Sequence, residues 1–257
     1  EQVIRYDRKQ PEFYEDTITY VNKRANISRV ITAKKLLRKN AILFTEVENK
    51  FFVEKEILLA LWGIETNFGK HVGKMDIISS LATLSYDKRR RDFFSSQLLI
   101  LLELIDDKLI DPSTLYGSWA GAYGNFQFMP SSIKQYAIDY DNNNKIELKS
   151  SLNDSLASAA NYIKRIGWKK GQPCFFRVKL TNKIKDKYVN LSARKISHRF
   201  KINKWKRNGV VNYDGTELKT NLRAALILPD GKPETPTYLV FENYEKILKW
   251  NRSLRFG

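Results

Sequence analysis

The apolar residues of this chain keep a helical period almost to Trp168 and abandon it after Gly171. Upstream, AKKLLRKNAILFTEVENKF, ISSLATLSY, RDFFSSQLLILLELIDD, SSIKQYAIDY and LASAANYIKRIGW set apolar side chains three and four apart, the spacing of one helix face. FYEDTITYVNKR near the start reads the same way. Downstream, CFFRVKL and PTYLVF are short β-favouring runs flanked by Pro, Gly and Asn, and AALILPDGKPETPT reads as a strand leading into a tight turn. The closing NYEKILKWNRSLRFG returns to helix-like spacing. This pattern predicts a mainly α chain of α+β class. Residues 1–50 form a helical lobe completed by 243–257, 51–168 a helical core, and 169–242 a small β-containing lobe.

A chain of 257 residues with 42% hydrophobic and 12% aromatic side chains buries a proper core, which excludes a disordered chain. Its one cysteine, Cys174, excludes an internal disulfide and any multi-cysteine metal centre. No stretch reaches the ~20 apolar residues of a membrane span, and the longest run, around Leu98 to Ile105, suits a buried helix. The opening EQVIRYDRKQPEF carries no charged-then-apolar leader. A formal charge of +17 points toward acidic partners, but the cations are spread along the chain. Even the clusters KKLLRK, KRRR and RFKINKWKR read better as a solvated surface than as a nucleic-acid site.

Glu65 stands out against this background. In EKEILLALWGIETNFG, read as a helix from Glu54 to Gly69 closed by glycine, Leu58, Leu61 and Trp62 lie seven, four and three residues before it. That places a carboxylate on the apolar stripe, where lost hydration disfavours its charge. It also falls in the last turn, where the helix dipole is negative. Both effects raise a carboxyl pKa toward that of a general acid working near neutrality. A structural glutamate paired with a Lys or Arg fits the same helix.

Two loops carry further chemistry. GSWAGAYGNFQFMPSS, from Gly117 to Ser132, mixes three glycines with Ser118, Trp119, Tyr123, Phe126 and Gln127. Glycines let a backbone approach a ligand, and the aromatics and amide suit sugar faces and hydroxyls. A structural loop packed by its own aromatics fits equally. In DYDNNNKIEL, Asp139, Asp141 and Asn143 follow the 1, 3, 5 spacing of a calcium loop, with a backbone carbonyl expected from Lys145. Asn144 stands where glycine makes the sharp turn, and Ser150 where a bidentate Glu closes the shell, so a later acid such as Asp154 would have to close it. A polar loop without metal is the other reading. Asp76 and Asp87 are candidates for a second catalytic carboxylate, although capping or ion pairing suits them better. The lone His71 and His198 have no metal-ligand spacing.

The segments ALWGIETNFGKHVGK, ISSLATLSYDKRRRDFF, GSWAGAYGNFQFMPSS, QYAIDYDNNNKIEL and AANYIKRIGW together resemble the membrane-bound lytic murein transglycosylase B family of bacterial peptidoglycan-cleaving enzymes. The likeness runs in order from Ile4 to Trp168 and resumes weakly at NYEKILKWNRS; 169–241 has no match. It implies a lysozyme-like core, with Glu65 as the sole catalytic acid and base. Ser118 and Gln127 would contact substrate, and Tyr123 and Tyr162 would line the sugar groove. The family's EF-hand-like loop falls on Asp139, Asp141, Asn143 and Lys145, closed by Asp154, with room for a structural calcium ion. No cofactor is needed for the chemistry. Asn251 matches an asparagine near the acid, while Trp250 and Phe256 replace tyrosines of the pattern. The implied partner is the peptidoglycan glycan strand, not nucleic acid. The implied setting is the bacterial periplasm or cell envelope, with a membrane-anchored full-length protein acting as a monomer.

Overall fold

A computed structural model describes residues 1–8 and 15–257. Phe13 and Tyr14, which open the FYEDTITYVNKR pattern, lie outside the described residues. The described residues fall into two compact units: 1–8 with 25–165, and 15–24 with 166–257. Helix α2 (Thr17–Arg24) and the C-terminal helix α11 (Glu242–Trp250) therefore both group with the β-rich part.

The first unit is helical. It holds α1 (Gln2–Arg8), α3 (Ile27–Lys39), α4 (Ala41–Phe51), α5 (Lys55–Thr66), α6 (Ile77–Tyr86), α7 (Arg91–Asp106), α8 (Pro130–Tyr136) and α9 (Leu152–Arg165). The single helix expected across AKKLLRKNAILF is two, because Asn40 turns its side-chain amide onto the Leu36 carbonyl and leaves helical geometry. An Asn side chain competes with the backbone in this way. Asp76 caps α6 by accepting the Ser79 N–H at 2.6 Å. Asp87 pairs with Arg8 and accepts the Arg89 N–H, so neither aspartate is idle. Arg89 and Arg90 of the KRRR run converge on the buried Asp7, so part of that basic cluster is structural.

Helix α9 sets Ser155, Ala157, Ser158, Ala159 and Ala160 in the interior, small side chains that let α4 lie close against it. A two-residue ladder pairs β1 (Met75–Asp76) with β2 (Tyr116–Gly117) and anchors the start of the glycine-rich loop beside α6.

The second unit is built on a six-stranded sheet ordered β4 (Val189–Asn190), β7 (Arg223–Ile227), β8 (Thr237–Val240), β3 (Phe175–Leu180), β6 (Val210–Asn212), with β5 (Phe200–Lys201) also pairing β7. Only β4 and β7 run parallel among these pairs. Strand β7 is covered on both faces, hence its unbroken apolar text. Ala224 and Leu226 face a core with Trp205 of α10 (Ile202–Arg207), while Ala225 and Ile227 face Tyr244 and Leu248 of α11. Cys174 packs against the latter cluster. Asp230 accepts bonds from the Thr17 backbone and hydroxyl and from Arg255, tying α2 and the C-terminal segment to this unit.

Candidate active site

Helix α5 is apolar nearly throughout, with Leu58, Leu61 and Trp62 all buried. Their spacing puts the half-buried Glu65 on the same stripe, one residue before the helix ends. The helix stops at Thr66 rather than running to Gly69. Asn67 and Phe68 already adopt left-handed backbone, at φ 50° and 60°, ahead of Gly69 at 81°. Phe68 is the unusual member, since bulky residues rarely occupy that region. Its ring stands perpendicular to that of Trp62, with centroids 5.7 Å apart, and lies over Gly63. A Cβ at Gly63 would come within 2.8 Å of the Phe68 ring, so glycine there makes room for the strained turn.

The glycine-rich loop is a folded hairpin. The Ser118 N–H donates to the Ala122 carbonyl, and Tyr123 and Phe128 exchange backbone hydrogen bonds at 2.9 Å. The Ser118 hydroxyl accepts the N–H groups of Ala120 and Ala122. Gln127, left-handed at φ 50°, donates its amide to the carbonyls of Val72 and Gly124. At Gly124 a Cβ would meet the Leu148 carbonyl at 2.4 Å, so the loop lies directly on the chain that follows the acidic segment.

These bonds bring four expected site residues into one region of the first unit. Gln127 is tied to Val72, Ser118 lies beside Gly73, and both segments continue from the end of α5. Tyr162 stacks on Tyr136 at 4.1 Å and tilts against Phe128, the end of the same loop. Tyr123 is placed differently from a groove-lining ring. It is 3% exposed, its hydroxyl shares a hydrogen bond with Thr114, and burial pushes its phenol pKa up. Trp250, Asn251 and Phe256 belong to the second unit. Trp250 ends α11, Asn251 donates its N–H to Ile247, and Phe256 is buried.

One contributor had no signal in the sequence. Asn125 is buried, and its side chain accepts the Trp62 indole N–H at 3.0 Å. Only the fold reveals it, because a lone Asn in a glycine-rich loop reads as turn chemistry.

In the acidic loop, carboxylate oxygens of Asp139, Asp141 and Asp154 all lie within 4.8 Å of one another. Asp154 is fully buried at the start of α9, each of its oxygens taking one backbone N–H, from Tyr140 and Glu147. Burial pushes its carboxyl pKa up; those two N–H groups pull it down, and Asp141 and Asp139 push it up again. Left-handed Asn142 and Asn144 shape the turn, as the Asn-for-Gly exchange permits. Asn143 bonds the Lys145 N–H and the Glu147 carboxylate, and Ser150 also bonds Glu147. Three hard oxygen donors of like charge at this separation fit a cation such as calcium.

The family described as Transglycosylase SLT domain matches residues 1–257. Over 120 residues the chain is 45% identical to the membrane-bound lytic murein transglycosylase B of Escherichia coli (strain K12), covering 46% of this chain and 33% of that protein. The match thus spans a third of that relative's length. SltB3 from Pseudomonas aeruginosa, solved in complex with NAG-anhNAM-pentapeptide, superposes with a TM-score of 0.90 at 36% identity, over 99% of this chain and 67% of that one. The Escherichia coli lytic transglycosylase Slt35, solved in complex with calcium, superposes with a TM-score of 0.80 at 28% identity, over 99% and 78%. With its whole length matched and its helical, lysozyme-like fold shared, this chain belongs to the transglycosylase SLT domain family.

Proposed function

We propose that this protein is a peptidoglycan lytic transglycosylase. It cleaves the β-1,4 bond between N-acetylmuramic acid and N-acetylglucosamine and leaves a 1,6-anhydromuramoyl end. The observation that carries this reading is the half-buried Glu65, flanked by residues bonded to a folded glycine-rich loop that also holds Ser118 and Gln127. The anhydro sugar named in the SltB3 complex supports the product class.

Most glycosidases need two carboxylates. Here one acid does both jobs. Glu65 donates its proton to the glycosidic oxygen as the bond to the muramoyl carbon breaks, and the substrate's acetamido group stabilises the cationic centre. The ionised Glu65 then takes the proton from the muramoyl 6-hydroxyl, whose oxygen closes the anhydro ring. Water is not the nucleophile, so the reaction is a lyase step. Ser118 and Gln127 orient the acetamido group and the carboxylate, and Tyr162 offers a ring at the groove.

Asp139, Asp141 and Asp154, with the Asn143 side chain and the Lys145 carbonyl, would hold calcium, which would neutralise the carboxylate cluster and brace the loop without entering the reaction. The proposed partner is the glycan strand, and the setting the bacterial cell envelope, as the membrane-bound relative's name suggests. Among the described residues no helix is long and apolar enough to cross a membrane. We read 51–168 as the catalytic core, 169–242 as the β-containing lobe and 1–50 as the flanking helical lobe.

Mass analysis of murein digests tests the reading. The parent chain should release anhydromuropeptides, and Glu65→Gln should lose about 10²–10⁴-fold in rate while melting at the parent temperature. A free reducing muramic end would mean that water attacked, making the protein a hydrolase. Binding without turnover would leave it a wall-binding protein.

A further inference from the structure

We propose that Asn125 is the positioning residue for Glu65, locking the last turn of α5 to the chain that follows the acidic loop. The inference rests on the transglycosylase reading only for what Glu65 does, not for how it is held.

The buried Asn125 uses its whole polar inventory. Its Oδ1 accepts the Trp62 indole N–H at 3.0 Å, and its carbonyl accepts the Thr66 hydroxyl at 2.8 Å. Its Nδ2 donates to the carbonyls of Leu148 and Lys149 at 3.2 and 3.1 Å and lies 3.3 Å from the Ser155 hydroxyl. Its backbone N–H donates to Leu148 at 2.8 Å. Glu65 therefore sits between the two α5 residues that Asn125 grips, Trp62 three positions before it and Thr66 one after. The Thr66 hydroxyl in turn accepts the Gly69 N–H at 3.0 Å, fixing the left-handed exit of the helix.

This clamp answers a physical need. The exit of α5 closes on itself through backbone bonds, Asn67 to Gly63, Phe68 to Trp62 and His71 to Thr66, but these are local and a helix end held only locally frays. A proton donor must hold its place closely through both halves of the reaction, and displacement by about 1 Å can cost 10²-fold. A neutral amide is the side chain that donates to two carbonyls and accepts an indole N–H at once. Aspartate keeps the shape but would set a carboxylate against the Leu148 and Lys149 carbonyls.

The experiment compares Asn125→Ala, Asn125→Asp, Thr66→Val and Thr66→Ser with the parent on a soluble glycan strand. It reads kcat, KM, the pH profile of kcat, thermal unfolding and hydrogen exchange of the amides from residue 62 to residue 72. Asn125→Ala and Asn125→Asp should lower kcat by about 10–10²-fold, leave KM little changed and speed exchange selectively at 62–72. Thr66→Val, which keeps shape but loses the hydroxyl, should imitate them, and Thr66→Ser should restore the parent rate. The Thr66 pair carries the test if the Asn125 variants do not fold. Parent-like kcat in the folded Asn125 or Thr66→Val variants overturns the proposal, as does unchanged exchange at 62–72. Absence of anhydro product from the parent would instead overturn the transglycosylase reading, and the exchange measurement would still decide whether Asn125 holds the helix end.

Discussion

The two units solve different problems with their backbones. In the second, a sheet is packed on both faces by apolar side chains, and its largest buried ring, Trp205, has its one polar group satisfied by the Ala224 carbonyl. In the first, the residues of chemical interest cluster where regular structure breaks down. These breaks are the left-handed run after α5, the glycine-rich hairpin and the acidic turn. Each break is held by a buried polar side chain, Asn125 in the first two and Asp154 in the third. Regular packing supplies stability, while irregular backbone fixed by polar groups supplies placement.

The comparison breaks most visibly if the sheet unit is not held by its apolar core. Trp205→Ala should cost about 3–5 kcal/mol, read by denaturant unfolding. A loss under about 1 kcal/mol would show that the sheet draws its stability from elsewhere.

A smaller effect is expected at the acidic turn. The folded pKa of Asp154 lies above its unfolded value because of burial. In cation-free protein, folding favours the protonated form, so stability falls as pH rises through the window above the ordinary carboxylate pKa. A bound cation reverses that sign. Free calcium at 100 times its dissociation constant should add about 2.7 kcal/mol, and a chelator should remove it. Melting curves that ignore both calcium and chelator at neutral pH would mean the loop is simply polar.

The subtlest test concerns Gly63. Ala normally stabilises a helix interior by about 1 kcal/mol over Gly, but the added methyl would press on the Phe68 ring. Overpacking costs about 1–3 kcal/mol, so Gly63→Ala should be slightly destabilised and should lose more in kcat than in stability. A variant both more stable and fully active would show that Phe68 does not hold the helix end.

Much of this was legible from residue order alone. Helical and β-favouring periods separate cleanly near Trp168, since side-chain periodicity is a local property of each segment. The acid on the apolar stripe of α5 was equally visible, because Leu58, Leu61 and Trp62 are related to Glu65 by helix geometry and nothing else. The aspartate spacing at 139 and 141 belongs to the same class of local signal. Helix ends were less legible. Asn40 split one expected helix, and Asn67 ended α5 ahead of the glycine, because Asn trades backbone bonds for its own side chain or for left-handed geometry.

What only the tertiary structure decided are the meetings between residues distant in the chain. Asn125 reaches both Trp62 and Leu148, Gln127 reaches Val72, and the Tyr123 ring turns inward to Thr114. No local pattern encodes such pairings. A buried polar atom takes whichever partner the packed chain brings within reach, and burial makes that choice costly to leave unmade.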